Sequence, residues 1–75
     1  MDLYYKIYED ICVNGKYIKS IYWSRNTKRG CKKLLNKWKK KHNVNDEDIT
    51  EIVYNNMTIY QLNDGNQISF EAIFF

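Results

Sequence analysis

Residues 27–42 read TKRGCKKLLNKWKKKH. Within this stretch Cys31, Leu34, Leu35 and Trp38 fall at i, i+3, i+4 and i+7, which puts them on one stripe of an α-helix. Apart from Gly30, every other position is polar or basic. Ser24, Asn26 and Thr27 are each competent N-caps, because their side-chain oxygens can take a free first-turn N–H. Asn43 is a plausible stop, since asparagine tolerates the left-handed conformation that ends a helix. A stripe of four apolar residues needs a surface to cover, and the flanking sequence supplies strands.

Upstream, residues 3–23 read as a hairpin about Asn14-Gly15, the strongest short signal for a two-residue loop. An uninterrupted ladder from that turn predicts Ile11 opposite Ile18, Ile7 opposite Tyr22 and Val13 opposite Lys16 on one face. On the other face it predicts Cys12 opposite Tyr17, Asp10 opposite Lys19 and Tyr8 opposite Ile21. Downstream, residues 45–50 form an acidic connector. Strands over 50–54 and 57–62 then flank Asn55-Asn56. A last strand over 67–75 follows Asp64-Gly65, a second two-residue signal that predicts Ile59 opposite Phe70 and Met57 opposite Ala72. The fold class expected is α+β: an antiparallel sheet of about five strands, order β-β-α-β-β-β, with one amphipathic basic helix packed on one face.

Seventy-five residues without a linker or repeat make a single domain spanning 1–75. A chain this short buries only about 60% of its unfolded surface, so its stability is marginal. Yet 44% of residues are apolar and twelve are aromatic, too many for a disordered segment. The N-terminus, Met1-Asp2-Leu3-Tyr4-Tyr5-Lys6, has no basic leader followed by an apolar run. No stretch approaches the roughly 20 apolar residues of a membrane span. Both point to a cytoplasmic protein without membrane contact, in which Cys12 and Cys31 stay as thiols. Lys, Asn, Ile and Tyr make 35 of the 75 residues. Their codons are A/T-rich, so bacterial, phage and large-virus genomes of low GC content fit.

The charge is unevenly placed. Arg25, Lys28, Arg29, Lys32, Lys33, Lys37, Lys39, Lys40 and Lys41 fall between residues 25 and 42 with no acid among them, a local charge of +9. The remainder carries three lysines and nine acids, −6, giving the net +3. Lys28/Lys32, Arg29/Lys33, Lys33/Lys37 and Lys37/Lys41 are like-charge i,i+4 pairs, each unfavourable by a few tenths of a kcal/mol. Lys28 and Arg29 also sit in the first turn, where the helix dipole favours anions. The whole arrangement costs the helix roughly 1–2 kcal/mol, which a marginal domain feels. A polyanionic partner is the natural compensation: nucleic acid, a nucleoprotein or an acidic protein surface. A solvated face that serves only solubility is the competing explanation.

A sheet covered by one helix leaves a second face. The uninterrupted registers put Tyr8, Cys12, Tyr17, Ile21, Trp23, Val53, Tyr60, Leu62, Ile73 and Phe75 there. So large an apolar face implies a protein interface, with homodimerisation one form of it. The alternative is a sheet that curls and buries part of the face on itself. Tyr8, Tyr17, Tyr22 and Trp23 also suit base stacking, but the basic residues lie on the helix and not around them.

Nothing in the chain suggests catalysis. His42 is the single histidine. Cys31, near a helix start among lysines, is the one tempting nucleophile, yet His42 lies about 16 Å along the same helix, beyond the reach of a general base. Asp46-Glu47-Asp48 lacks the spacing of a calcium loop, and no zinc set, phosphate loop or paired-carboxylate pattern appears. No catalytic residue, metal or cofactor is expected. In size, low-GC composition and lack of catalytic residues the chain resembles the small inhibitor proteins that phages use against host machinery, anti-CRISPR proteins among them. No motif carries that resemblance. It implies a non-enzymatic binding protein, in the host cytoplasm if phage-encoded, that modulates nucleic-acid machinery such as a defence nuclease. The other expectations are a nucleic-acid-binding regulator whose basic helix contacts phosphates, and a homodimeric interaction module with no nucleic-acid role.

Overall fold

The computed structural model describes residues 2–74. The elements run β1 (Leu3–Val13), β2 (Lys16–Arg25), α1 (Lys28–His42), a 3₁₀ turn (Asp46–Asp48), β3 (Thr50–Tyr54), β4 (Met57–Gln61) and β5 (Gln67–Phe74). They form one antiparallel sheet in the order β2-β1-β5-β4-β3. The α+β architecture read from the sequence is therefore present. The C-terminal strand is inserted at the centre, where β5 pairs with β1 from Leu3↔Phe74 to Asp10↔Gln67 and joins the two halves. Its centre is accordingly the most buried run of the sheet: Ile68, Ser69 and Phe70 keep 1%, 6% and 8% exposure.

Both long hairpins carry one residue more than the sequence expectation allowed. In the first, Val13↔Lys16 and Cys12↔Tyr17 pair as expected around Asn14-Gly15, whose φ values of 52° and 79° suit a type I′ turn. The register then slips: Ile11 lies opposite Lys19, leaving Ile18 as the extra residue of a β-bulge. Beyond it Asp10 faces Ser20, Tyr8 faces Tyr22 and Ile7 faces Trp23. In the hairpin of β4 and β5, Leu62 N–H donates to the Asn66 carbonyl at 2.9 Å and Gly65 N–H to the Leu62 carbonyl at 3.0 Å. The loop is thus Asn63-Asp64-Gly65, with Gly65 at φ 94°, as in a three-residue turn closed by a glycine bulge. Met57 consequently faces Glu71, and Ile59 faces Ser69. The Asn55-Asn56 loop holds its expected pairing, Tyr54↔Met57, with Asn55 at φ 51°.

Because side chains alternate with period two, each one-residue slip moves a whole strand to the other face. This corrects the expected second face. Trp23, Ile21, Tyr60 and Val53 lie on the helix side, in the rows Trp23–Ile7–Phe70–Thr58–Val53 and Ile21–Glu9–Ile68–Tyr60–Glu51, and Leu62, two residues beyond Tyr60, lies on that side too. Leu62 is a core residue, and Trp23 and Tyr60 pack against the core. Tyr8 and Ile73 do lie on the far side. Tyr17, beside the bulge, is 56% exposed, and Phe75 lies outside the described residues. Far-face rows are mixed or polar: Ser20–Asp10–Gln67–Gln61–Thr50 crosses all five strands. Within it Ser20 donates to Asp10 at 2.7 Å, Gln67 to Asp10 at 3.0 Å and Gln61 to Gln67 at 3.4 Å. The next row, Tyr22–Tyr8–Ser69–Ile59–Ile52, sets Tyr8 and Tyr22 rings 5.2 Å apart. The face expected to be continuously apolar is instead crossed by a hydrogen-bonded polar band.

On the helix side, Trp38 (2% exposed) seats on Tyr5, Ile7, Ile68, Phe70 and Leu62, with Cys31, Leu34 and Leu35 half-buried around it. The expected stripe is thus the stripe that packs. His42 continues it one turn on, its ring centroid 5.2 Å from that of Trp38. Cys12 and Cys31 are free thiols. No helix among the described residues is long and apolar enough to cross a membrane.

Candidate polyanion interface

Local sequence fixes both ends of α1. Thr27 is the N-cap, with extended backbone and its hydroxyl oxygen accepting the Gly30 N–H at 3.0 Å. The Arg25 side chain folds over the first turn, where a Cβ on Gly30 would meet it at 3.2 Å, a contact the exposed arginine can relieve by a small shift. Asn43 ends the helix at φ 54°, ψ 50°. Its N–H donates to the Lys40 carbonyl and that of Val44 to the Lys39 carbonyl, both at 3.1 Å, the paired bonds of a Schellman stop.

With the ends fixed, the nine cations divide into two groups. Lys39 pairs with Asp46 in the 3₁₀ turn, and Lys41 reaches down to Glu9 of β1 at 2.9 Å. Glu9 is 4% exposed and lies on the helix face of the sheet, so Lys41 neutralises a carboxylate that burial would otherwise penalise. These two lysines, with Lys40 and His42, also occupy the last turn, where the dipole favours positive charge. The C-terminal half of the charge is therefore largely explained by the fold.

The other seven have no carboxylate partner among the described residues. Arg25, Lys28, Arg29, Lys32, Lys33, Lys37 and Lys40 are exposed and make no ion pair among the described residues. The first turn contains no acid. Lys28/Lys32, Arg29/Lys33 and Lys33/Lys37 remain uncompensated repulsions. The structure thus leaves seven cations without an ion pair among the described residues, all but Lys40 ahead of the last turn, around the outward side of α1 and its entry from β2.

Grooves flank α1 on both sides. One, about 410 Å³, separates it from β4 and is lined by Tyr5, Phe70, Tyr60 and Thr58 from the sheet and by Lys28 and Lys32 from the helix. The Tyr60 ring meets that of Phe70 edge-on at 6.0 Å. Burial, reinforced by Glu51 as charge and hydrogen-bond partner, pushes the Tyr60 hydroxyl pKa up, so it stays protonated. Cys31 also lines this groove. Burial raises its thiol pKa, against a smaller opposing pull from Arg25; a nucleophilic thiol needs the reverse. The second groove, about 330 Å³, lies toward β2 between Trp23 and Trp38, edged by Arg25, Lys37 and Lys41 over Glu9.

The expected basic residues are thus brought onto one ridge, whereas the expected sheet-face residues are split between core, groove and far side. Sequence reading missed Tyr5, Thr58 and Phe70 as groove residues. The signal was present in the alternation of β1 and β5, but placing it under the lysines required the true register of β4. No group of three or more histidine, cysteine or acidic side chains suited to a metal ion occurs among the described residues. No protein-family model, curated protein or solved structure matches the chain.

Proposed function

We propose that the chain is a non-catalytic binding protein that engages nucleic-acid machinery through α1, its free cations contacting phosphates of nucleic acid, bare or displayed by a nucleoprotein. The observation that carries this reading is the set of seven exposed cations, from Arg25 to Lys40, that the fold leaves without a carboxylate. Their mutual repulsion and the first-turn dipole oppose folding, and phosphates relieve both. Phosphates also suit the geometry, because a helix charged around its outward side can follow a chain of anions.

A modulator or inhibitor of a host nucleoprotein, such as a defence nuclease, is one form of this reading. A protein component in the target is favoured by the β3–β4 hairpin, where Val53 on the helix side is 65% exposed and Ile52 and Tyr54 on the far face are 40% and 52% exposed. The far face supports homodimerisation less, because the polar band interrupts it.

The test is charge reversal at Lys33→Glu, Lys37→Glu and Lys40→Glu together. Binding to a mixed-sequence oligonucleotide at low salt should disappear while the far-ultraviolet circular dichroism stays that of the wild type. Binding that survives in the folded variant would remove α1 from the interface.

A further inference from the structure

The groove between α1 and β4 unites two properties that recognition of single-stranded nucleic acid requires in one place. Its lining is aromatic, with the half-buried Tyr60 beside the core rings of Tyr5 and Phe70, and its edge is cationic, with Lys28 and Lys32. We infer that this groove takes one unstacked nucleobase of a single strand whose phosphates run over Lys28, Lys32 and the outward side of α1. The inference rests on the reading of α1 as a phosphate-binding surface and adds the state of the nucleic acid.

Size and chemistry favour this occupant. A volume of about 410 Å³ falls in the range of roughly 300–1,000 Å³ typical of small-molecule sites, enough for a planar heterocycle and not for a helix. The Thr58 hydroxyl gives the groove a neutral donor and acceptor for a base edge, and the Tyr60 oxygen, whose hydrogen is shared with Glu51, gives an acceptor. Polarity along the groove is also defined. Glu51 and Asp46 lie at the end near Tyr60 and Leu35, and Lys28 and Lys32 line the side toward the start of α1. Phosphates therefore belong on the Lys28 side and the base on the Tyr60 side. A duplex keeps its bases stacked within the helix and presents only phosphates and groove edges to such a site, whereas a single strand offers base faces freely.

The test compares three probes by fluorescence anisotropy at fixed salt with the full chain: oligothymidylate of 12 nucleotides, an abasic backbone of the same length, and a duplex of 12 base pairs. Stacking of one base predicts that oligothymidylate binds about 5- to 150-fold more tightly than the abasic strand. Thr58→Tyr, which fills the groove and leaves the α1 cations in place, should bring oligothymidylate down to the abasic affinity. Equal affinity of the wild-type chain for oligothymidylate and the abasic strand would overturn the base site while leaving phosphate binding by α1 intact. Tighter binding to duplex than to oligothymidylate would overturn it as well. Failure of all three probes to bind would overturn the phosphate reading and the base site together.

Discussion

The side-chain oxygen of Asn66 accepts the backbone N–H of Cys12 at 2.8 Å, across 54 residues of sequence. Asn66 follows the last turn of the sheet, and Cys12 borders the bulge of the first hairpin. Both residues are buried, so this bond ties together two irregularities that set the facing of the whole sheet. Gly65 closes the same corner: a Cβ there would lie 2.8 Å from the Cys12 sulfur. Asn66→Leu leaves the buried Cys12 N–H without its acceptor and should lower stability by about 1–3 kcal/mol in urea unfolding.

The bulge itself makes a sharper claim. Removing Ile18 joins Cys12↔Tyr17 directly to Ile11↔Lys19, so Trp23 still faces Ile7. The deletion should therefore fold, with a loss of about 1 kcal/mol or less, the scale of an ordinary surface or near-surface change. Inserting one alanine after Ile18 instead turns Trp23 and Ile21 away from α1 unless the bulge widens. That variant should lose far more, as read from its urea midpoint.

The same two places mark where the sequence stopped being legible. The stripe Cys31–Trp38, the N-cap at Thr27, the stop at Asn43 and the Asn14-Gly15 and Asn55-Asn56 turns are short-range features, and local chemistry decides them. The bulge at Ile18 and the extra loop residue at Asn63-Asp64-Gly65 are decided by tertiary packing. With Ile18 bulged out, Trp23 faces Ile7 and packs against the core around Trp38; a regular ladder would turn it to the far face. Period-two alternation then amplified each one-residue error into a wrong face for an entire strand. Eight of the nine basic site residues were readable because they lie in one uninterrupted helix, with Arg25 just before it at the end of β2. The groove was not, because Tyr5, Thr58, Tyr60 and Phe70 come from three strands whose juxtaposition depends on those registers.

The first turn of α1 offers a test in which stability and binding move in opposite directions. Arg29→Glu places an acid where the dipole favours one and converts the Arg29/Lys33 repulsion into an attractive i,i+4 pair. Stability should rise by about 0.5–1.5 kcal/mol, while binding weakens and its salt dependence drops by roughly one unit of log–log slope. A rise in stability with unchanged binding would confine the interface to the later turns.

Acid stability should depend on the last turn. The Asp64 carboxylate accepts the Asn66 backbone N–H at 3.0 Å, and this bond, foremost, holds its pKa below the ordinary carboxylate value, with a smaller contribution from the charge of His42. A depressed folded-state pKa means that its stabilisation is complete above about pH 4, the unfolded carboxylate value, and is lost as pH falls through the folded value. Asp64→Asn keeps an acceptor oxygen and removes the titration. Its stability should fall less steeply than that of the wild type as pH drops below about 4, as followed by thermal unfolding.

The central claim, that seven free cations on and beside α1 meet phosphates, is tested most directly by the salt dependence of affinity for a mixed-sequence oligonucleotide. Contact with about 4–6 phosphates predicts a log–log slope of roughly −3 to −4 for a single strand and −4 to −5 for a duplex. Absence of measurable binding at low salt, or a slope near zero, would contradict the account and turn attention to an acidic protein surface as the counterpart of the ridge.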